Sequence, residues 1–495
     1  MSEGGCSDSS VVEWEKGKLI MMTACDDGRR RVHEINAKED SWTEALGTLA
    51  RVWSNKQKGP EKAVGSGFIT ATVGDDMKKV MLVTLPVYSK DGNKNEANEK
   101  GKLHLWLTDT THIVDVGPVS GKEDDFAASS LLYKRVESGT DNNEELIAPY
   151  KKKGDGKPHN LWSVRLTERL VRVKKVLSTW KKVDGCVSKL RPTSSAAEST
   201  STATACSAGK ITDGLVVFLS GNFSESTWRD ECLGVNAIVT KKDGAQKADN
   251  GVTFTGAEWP VGRQGENQLY HFANYNFTLV ATVFIYGVLK SGSVPLMGVK
   301  TNGDGGEKKL MELSYDSEKK WQVLCSDEKN KEHSSTWVPQ KQYQVAIVLR
   351  NGTQGSVYVD GQRVCMGEQR EMREAEPKEI SHFYIEGDGD SADNKVSREV
   401  SVTATNVLLY NRPLKISVGN ADLEEDFALP SGAPVVQSAN TEQLPPNPSQ
   451  RSVGKAEASY SHAVGEATGD GDALCVCGLL PSLLLLLGLW VFATL

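Results

Sequence analysis

Cysteines, histidines, carboxylate clusters and glycan acceptors are the groups through which this chain can do chemistry. Its nine cysteines are Cys6, Cys25, Cys186, Cys206, Cys232, Cys325, Cys365, Cys475 and Cys477. None has zinc-site spacing, and Cys475-Val-Cys477 lies in an apolar tail, so structural disulfides plus some free thiols are expected. Cys186 and Cys206 bracket a Ser/Thr/Ala-rich loop, and a disulfide between them would restrict the unfolded chain. Cys325 and Cys365 are a second candidate pair. The eight histidines are scattered, with no ligand spacing and no Cys/His couple for nucleophilic catalysis. Asp388, Asp390 and Asp393, and Asp304 with Glu307, lack the order of an EF-hand loop and read as polar hairpin turns. No metal and no cofactor is expected. The sequons Asn222-Phe-Ser, Asn276-Phe-Thr and Asn351-Gly-Thr are glycan acceptors if the chain enters the secretory pathway.

The elements that must position these groups are mostly strands. Residues 1–158 read as short strands (18–23, 31–35, 79–87, 102–108 and 130–136) separated by turns such as Asp27-Gly28 and Asp91-Gly92. That pattern belongs to a sandwich or to propeller blades. Over 161–182 the period changes: Leu166, Leu170, Val173, Leu177 and Trp180 form one apolar stripe with Lys and Arg elsewhere, as in an amphipathic helix joining two units. Strand patterning returns over 211–416, including 215–220, 277–286, 342–349, 356–359 and 382–385, and fits an all-β sandwich. A formal net charge of -7 and the lack of a basic stripe interleaved with aromatics exclude a nucleic-acid partner.

The two ends read differently. Residues 418–473 are rich in Pro, Ser, Ala, Gly and Glu, which cannot bury a core, and read as a disordered stalk. Small and acidic residues, Gly469-Asp470-Gly471-Asp472-Ala473, precede an almost wholly apolar run over 479–495. That order matches a glycosylphosphatidylinositol (GPI) signal, with Asp470 as the attachment candidate; a tail-anchoring helix is the competing reading. The first residues have neither a basic nor an apolar leader region. An anchor signal without an entry signal leads to the expectation that the true N-terminus is missing or that the gene is a fragment.

Val402-Thr403-Ala404-Thr405-Asn406-Val407-Leu408-Leu409-Tyr410-Asn411-Arg412 resembles the VTVxNVxLYNR signature of the trypanosomal trans-sialidase superfamily, departing only at Ala404. Cys6-Ser-Asp-Ser-Ser-Val-Val-Glu13-Trp14-Glu15 is similar to that family's CSEPxVLEWE, and Ser41-Trp42-Thr-Glu-Ala-Leu-Gly-Thr-Leu49 to its SWxEALGTL. Leu103-His-Leu-Trp106, Gly355-Ser-Val-Tyr-Val-Asp-Gly-Gln and Ile380-Ser-His-Phe-Tyr-Ile385 follow in the family's order. The resemblance implies a mainly β chain of five parts. These are the later blades of a six-bladed sialidase propeller over 1–158, an interdomain helix over 159–184, a lectin-like, concanavalin-type β-sandwich over 185–417, the stalk over 418–473 and the anchor signal over 474–495.

Active members of the family resemble other sialidases: three arginines clamp the sialic acid carboxylate, a Glu-activated Tyr is the nucleophile, and an Asp is the acid/base. By resemblance Glu13 stands at the Glu position, Arg29 at the second arginine, and Lys100, which lacks the guanidinium fork, at the third. Where the family reads YSSVLYK, this chain has Ala128-Ser129-Ser130-Leu131-Leu132-Tyr133-Lys134, so Ala128 replaces the nucleophile and Tyr133 is the other tyrosine, packed in a strand. The first arginine and the acid/base Asp fall upstream of Met1. Glu13 and Arg29 then read as a buried ion pair rather than as catalytic remnants.

The resulting expectation is a non-catalytic, GPI-anchored surface glycoprotein serving adhesion and antigenic variation, with host-cell or matrix proteins or sialoglycans as partners and Val402–Arg412 as an adhesive strand. The alternatives are a retaining exo-α-sialidase or trans-sialidase and a degenerate gene fragment.

Overall fold

The computed structural model describes residues 5–53, 66–88, 101–121, 126–138, 141–152, 160–190, 211–239, 245–254, 260–261, 267–303, 306–325, 331–366, 379–385, 402–417 and 427–428. Lys100, Cys206, Asp388, Asp390, Asp393, Asp304 and Asp470 lie outside them, as do most of the expected stalk and all of the anchor signal.

Twelve N-terminal strands form three small antiparallel sheets. The first holds β1 (Cys6–Glu15), β2 (Lys18–Cys25), β3 (Arg30–Asn36) and β4 (Thr43–Ala45) in that order. The second holds β5 (Phe68–Val73), β6 (Lys78–Tyr88), β7 (Gly101–Thr108) and β8 (Ile113–Pro118). In the third, β10 (Leu132–Ser138) and β9 (Phe126–Ser129) pair with β11 (Asp141–Lys152), whose other neighbour is β12 (Asn160–Arg165). Strand alternation explains the stacking, because successive side chains leave a strand on opposite faces. On β6, Met81, Val83 and Leu85 pack with Val12, Ile20, Met22 and Val32 of the first sheet. The intervening Val80 and Leu82 pack with Leu146, Ala148 and Tyr150 of the third. The second sheet is therefore buried on both faces, as an inner propeller blade is.

The helix α1 spans Thr167–Lys189, later than the expected 159–184. Residues 160–165 pair instead with β11, Val164 opposite Ala148 and Arg165 opposite Ile147, and Leu166 forms the N-cap. The stripe also runs on past Trp180, through Val183, Cys186 and Val187, so the helix continues as long as it has apolar partners. Its first half packs on the blades through Leu170, Val173, Val176 and Trp180. Its last turns pack on the sandwich through Val183, Cys186 and Val187.

The sandwich places the expected strands within Leu215–Ser224, Phe277–Ile285, Gln342–Arg350, Gln354–Val359 and Ile380–Ile385. Val402–Tyr410 lies at its centre, paired antiparallel with Leu215–Ser224, Gly251–Phe254 and Phe277–Ile285. A continuous core fills the space between the sheets and includes the buried Trp228, Trp321 and Trp337.

Candidate functional site

The structure does not bring Glu13 and Arg29 together. Glu13 lies near the β1–β2 hairpin, opposite Leu19, is exposed, and accepts a hydrogen bond from the Gly17 amide at 3.3 Å. Arg29 lies in the turn at the other end of β2, across from Cys25, six residues from Leu19 and about 20 Å of strand away. The buried ion pair expected between them is therefore not formed. Arg29 pairs instead with Asp27 (Nη2 to Oδ2, 2.8 Å) and with Glu379 (3.5 Å), and its Nη1 lies 3.1 Å from Nδ1 of His271. Burial, reinforced by the Arg29 charge, holds the His271 imidazole down at about 4, so a neutral ring faces the guanidinium.

Ala128 is half-buried on β9, opposite Lys151. Tyr133, on β10, donates to the Thr72 carbonyl at 2.7 Å, and burial followed by the Glu144 charge pushes it up to about 12. Arg135 and Lys174 both reach Glu144 at 2.8 Å, which ties the third sheet to α1.

The signature strand is enclosed on both faces. Val402, Ala404, Val407 and Leu409 point into the sandwich core, whereas Leu408 and Tyr410 face Val183, Cys186 and Val187 of α1. Asn406, at a φ of 48°, marks the irregularity that resets this alternation. Thr403 is buried and hydrogen-bonded to Thr253 at 2.7 Å. With neighbours on both edges and cores on both faces, the segment expected to be adhesive reaches the surface only through the half-buried Thr405, Asn406, Asn411 and Arg412. The last two have structural partners, Asn411 Nδ2 donating to Thr48 Oγ1 at 2.8 Å and Arg412 Nε to the Asp213 carbonyl at 2.8 Å.

Blades, helix and sandwich meet at a polar junction. Trp180 stacks on His112 at 4.8 Å and donates from Nε1 to the Cys232 carbonyl at 2.9 Å. Burial raises Asp109, but hydrogen bonds and charge from His112, with Lys78 beyond, outweigh it and hold Asp109 at about 2. Burial carries Asp230 up to about 7 against the backbone amides of Phe218, Cys232 and Gly234 that donate to it. Arg51 is buried near Tyr270, and its Nε donates to the Val52 carbonyl.

Of the two candidate pairs, Cys325–Cys365 forms a disulfide and Cys186 is disulfide-bonded, while its expected partner Cys206 lies outside the described residues. The sequence reading missed Cys6–Cys25, a cross-strand disulfide in the first sheet. The signal was the hairpin itself, obscured by two register shifts in β1 that move the cysteines into opposition. Cys232 is a buried free thiol. Among the described residues there is no group of three or more His, Cys, Asp or Glu suited to a metal, and no helix long and apolar enough to cross a membrane.

The fold is thus of the sialidase class, a sector of a six-bladed propeller joined by a helix to a lectin-like sandwich. The family model for the trans-sialidase C-terminal domain matches residues 211–417, that for the BNR repeat-like domain residues 1–151, and that for the hydrophobic C-terminal of Trypanosoma trans-sialidases residues 473–495. Sialidase 85-1.1 of Trypanosoma cruzi is 33% identical over 513 residues, covering 100% of this chain and 62% of that protein. Sialidase 85-1.3 of the same organism is 37% identical over 186 residues, 36% of this chain and 100% of that protein. Trypanosoma rangeli sialidase in complex with sialic acid superposes with a TM-score of 0.68 at 37% identity, covering 84% of this chain and 61% of that one. The chain belongs to the trypanosomal trans-sialidase superfamily. It spans less than two thirds of the length of these longer relatives.

Proposed function

We propose that this chain is a non-catalytic cell-surface glycoprotein whose blades and lectin-like sandwich present a binding face to host-cell or matrix ligands, sialoglycans among them. The observation that carries the proposal is Ala128, a methyl group where active relatives have the attacking phenol, while Tyr133, five residues further on, is tied to a backbone carbonyl. Glu13 and Arg29, far apart and otherwise engaged, support the same reading. A unit that acts together loses nearly all its chemistry with one member. The sialic acid bound by the T. rangeli sialidase supports sialoglycans as the ligand class. Surface placement is supported by the family match over 473–495, read as a GPI signal processed at Asp470 behind a stalk over 418–473. Contact with ligand runs through loops and exposed faces rather than through the interior of Val402–Arg412, most of which is buried.

The test is a pair of measurements on the full chain. Purified protein is expected to release no fluorophore from a fluorogenic sialoside, and tagged protein on expressing cells is expected to be freed by phosphatidylinositol-specific phospholipase C. Turnover above the spontaneous rate would overturn the non-catalytic reading. Signal confined to the cytosol would overturn the surface reading. Loss of cell binding after the host cells are treated with a sialidase would identify sialoglycans; unchanged binding would point to protein ligands.

A further inference from the structure

The outward side of α1 carries a row of cations that the fold does not use. The helix holds seven Lys or Arg residues against Glu168 and Asp184, in a chain whose formal net charge is -7. Four of the seven are engaged with the blades. Lys174 pairs with Glu144 and Lys181 with Asp76, each at 2.8 Å, and Arg169 Nε donates to the Pro118 carbonyl at 2.8 Å. The Arg169 and Arg172 guanidinium groups both lie against Gly117. Lys175, Lys182 and Lys189 are exposed and have no side-chain partner among the described residues. Seven residues separate each from the next, so they follow one side of the helix, about 10 Å apart and turned by only about 20°.

The carboxylates near this row lie at its end or off to its sides. Glu168, exposed in the first turn, stands one heptad before Lys175 and closes the row there. Asp184 is half-buried near His112 and Lys78, half a turn round the helix from Lys175. Asp76, with the exposed Asp75 beside it in the β5–β6 turn, lies on the Lys181 flank, and Glu144 is shared by Arg135 and Lys174. Glu145 pairs with Arg165, and Asp213, at the sandwich end, faces Arg412 at 3.6 Å.

Three cations in line over about 21 Å suit a linear polyanion, which can meet each in turn, better than a compact anion. A bilayer fits poorly, because the apolar side of α1 is spent on blades and sandwich and leaves only Val171 exposed to enter a headgroup layer. Nucleic acid fits no better, since Ser178 and Gly185, not aromatic side chains, fill the gaps between the lysines. Gly185 borders open space, which lets a polymer chain lie close to the helix. We propose that the row Lys175, Lys182 and Lys189 binds a sulfated glycosaminoglycan. Binding there needs neither the blade positions nor the surface placement proposed above.

The experiment is titration of the full chain, in nonionic detergent, with heparin at several NaCl concentrations. The variants are Lys175→Gln, Lys182→Gln and Lys189→Gln, singly and together, with Lys181→Gln and the triple Lys→Arg variant as controls. Each single variant is expected to weaken heparin binding about two- to fivefold and the triple glutamine variant at least about tenfold. The slope of log affinity against log salt should fall in magnitude by about one per lysine removed. Lys181→Gln changes the net charge equally but removes a cation already matched by Asp76, so affinity should change less than about twofold. The arginine variant keeps the charges and should bind as wild type does. All these positions are exposed and glutamine is a helix former like lysine, so melting midpoints should stay within about 2 °C. Hyaluronan, which carries carboxylates but no sulfates, should bind far more weakly than heparin. Absence of heparin binding by the wild type, equal losses from Lys181→Gln and Lys182→Gln, equal affinity for hyaluronan, or tighter lysine-dependent binding to phosphatidylserine vesicles would each overturn the proposal.

Discussion

Leu409→Ala separates the two roles available to the signature strand. Leu409 is 1% exposed, opposite Leu279 on one side and Val217 on the other, and its side chain ends in the core between the sheets. Truncating a leucine in such a site costs about 2–5 kcal/mol, from lost transfer energy plus the cavity left behind. For a domain of this size each kcal/mol lowers the melting midpoint by about 2–4 °C, so a cost of about 3 kcal/mol corresponds to about 6–12 °C. Tyr410→Phe is the matched control. The Tyr410 hydroxyl is buried, has no hydrogen-bond partner among the described residues, and burial raises its pKa. Removing it should leave the midpoint unchanged or raise it, because no bond is lost and a desolvated polar group is relieved. The assay is calorimetry of the sandwich transition together with binding to host cells at a temperature where both variants are folded. The structure leads us to expect a large fall in midpoint for Leu409→Ala and near wild-type binding for both. An unchanged midpoint with abolished binding for Leu409→Ala, or loss of binding for Tyr410→Phe, would refute the structural role.

Three further outcomes follow from the junction and the surface. His271 is held at about 4 in the folded chain, whereas the unfolded chain takes up the proton near 6.5, so stability is complete above about 6.5 and falls as pH drops toward 4. The loss is at most about 3 kcal/mol, and His271→Gln should remove it from the difference in urea midpoint between pH 7 and pH 4.5. Trp180→Ala should cost about 3–5 kcal/mol, because it removes a buried ring, its stacking on His112 and the hydrogen bond to Cys232. Trp180→Phe, which keeps most of the ring, should cost less in the same denaturant titration. Asn351 is exposed, whereas Asn276 uses its side-chain oxygen to accept the Asn351 amide at 3.0 Å and the Asn222 side chain is bonded to Glu231. Asn351→Gln should therefore remove more of the glycosidase-sensitive gel shift than either Asn276→Gln or Asn222→Gln.

Local signals in the sequence located several of the strands and the existence of the helix. The apolar spacing of Leu166, Leu170, Val173 and Trp180 exposes a 3.6-residue period, and the unbroken apolar run Val80-Met-Leu-Val83 marks a strand buried on both faces, because burial writes itself into composition. Ala128 in place of a phenol is legible in the same way, since a missing atom needs no coordinates. Helix limits were less legible, because Leu161 and Trp162 fit either a helix or an edge strand until β11 supplies the pairing partner. Pairing register was not legible at all: two shifts in β1 decide that Cys6 meets Cys25. The placement of Glu13 and Arg29 at opposite ends of one strand, and of Arg29 against His271 across 242 residues, also exists only once the sheets have stacked. The signature strand shows the same division most plainly. Its letters identify the family, but that Leu409 lies in one core and Tyr410 in another is decided by the helix and the sheet that close over it, since burial belongs to the packed assembly and not to the residue.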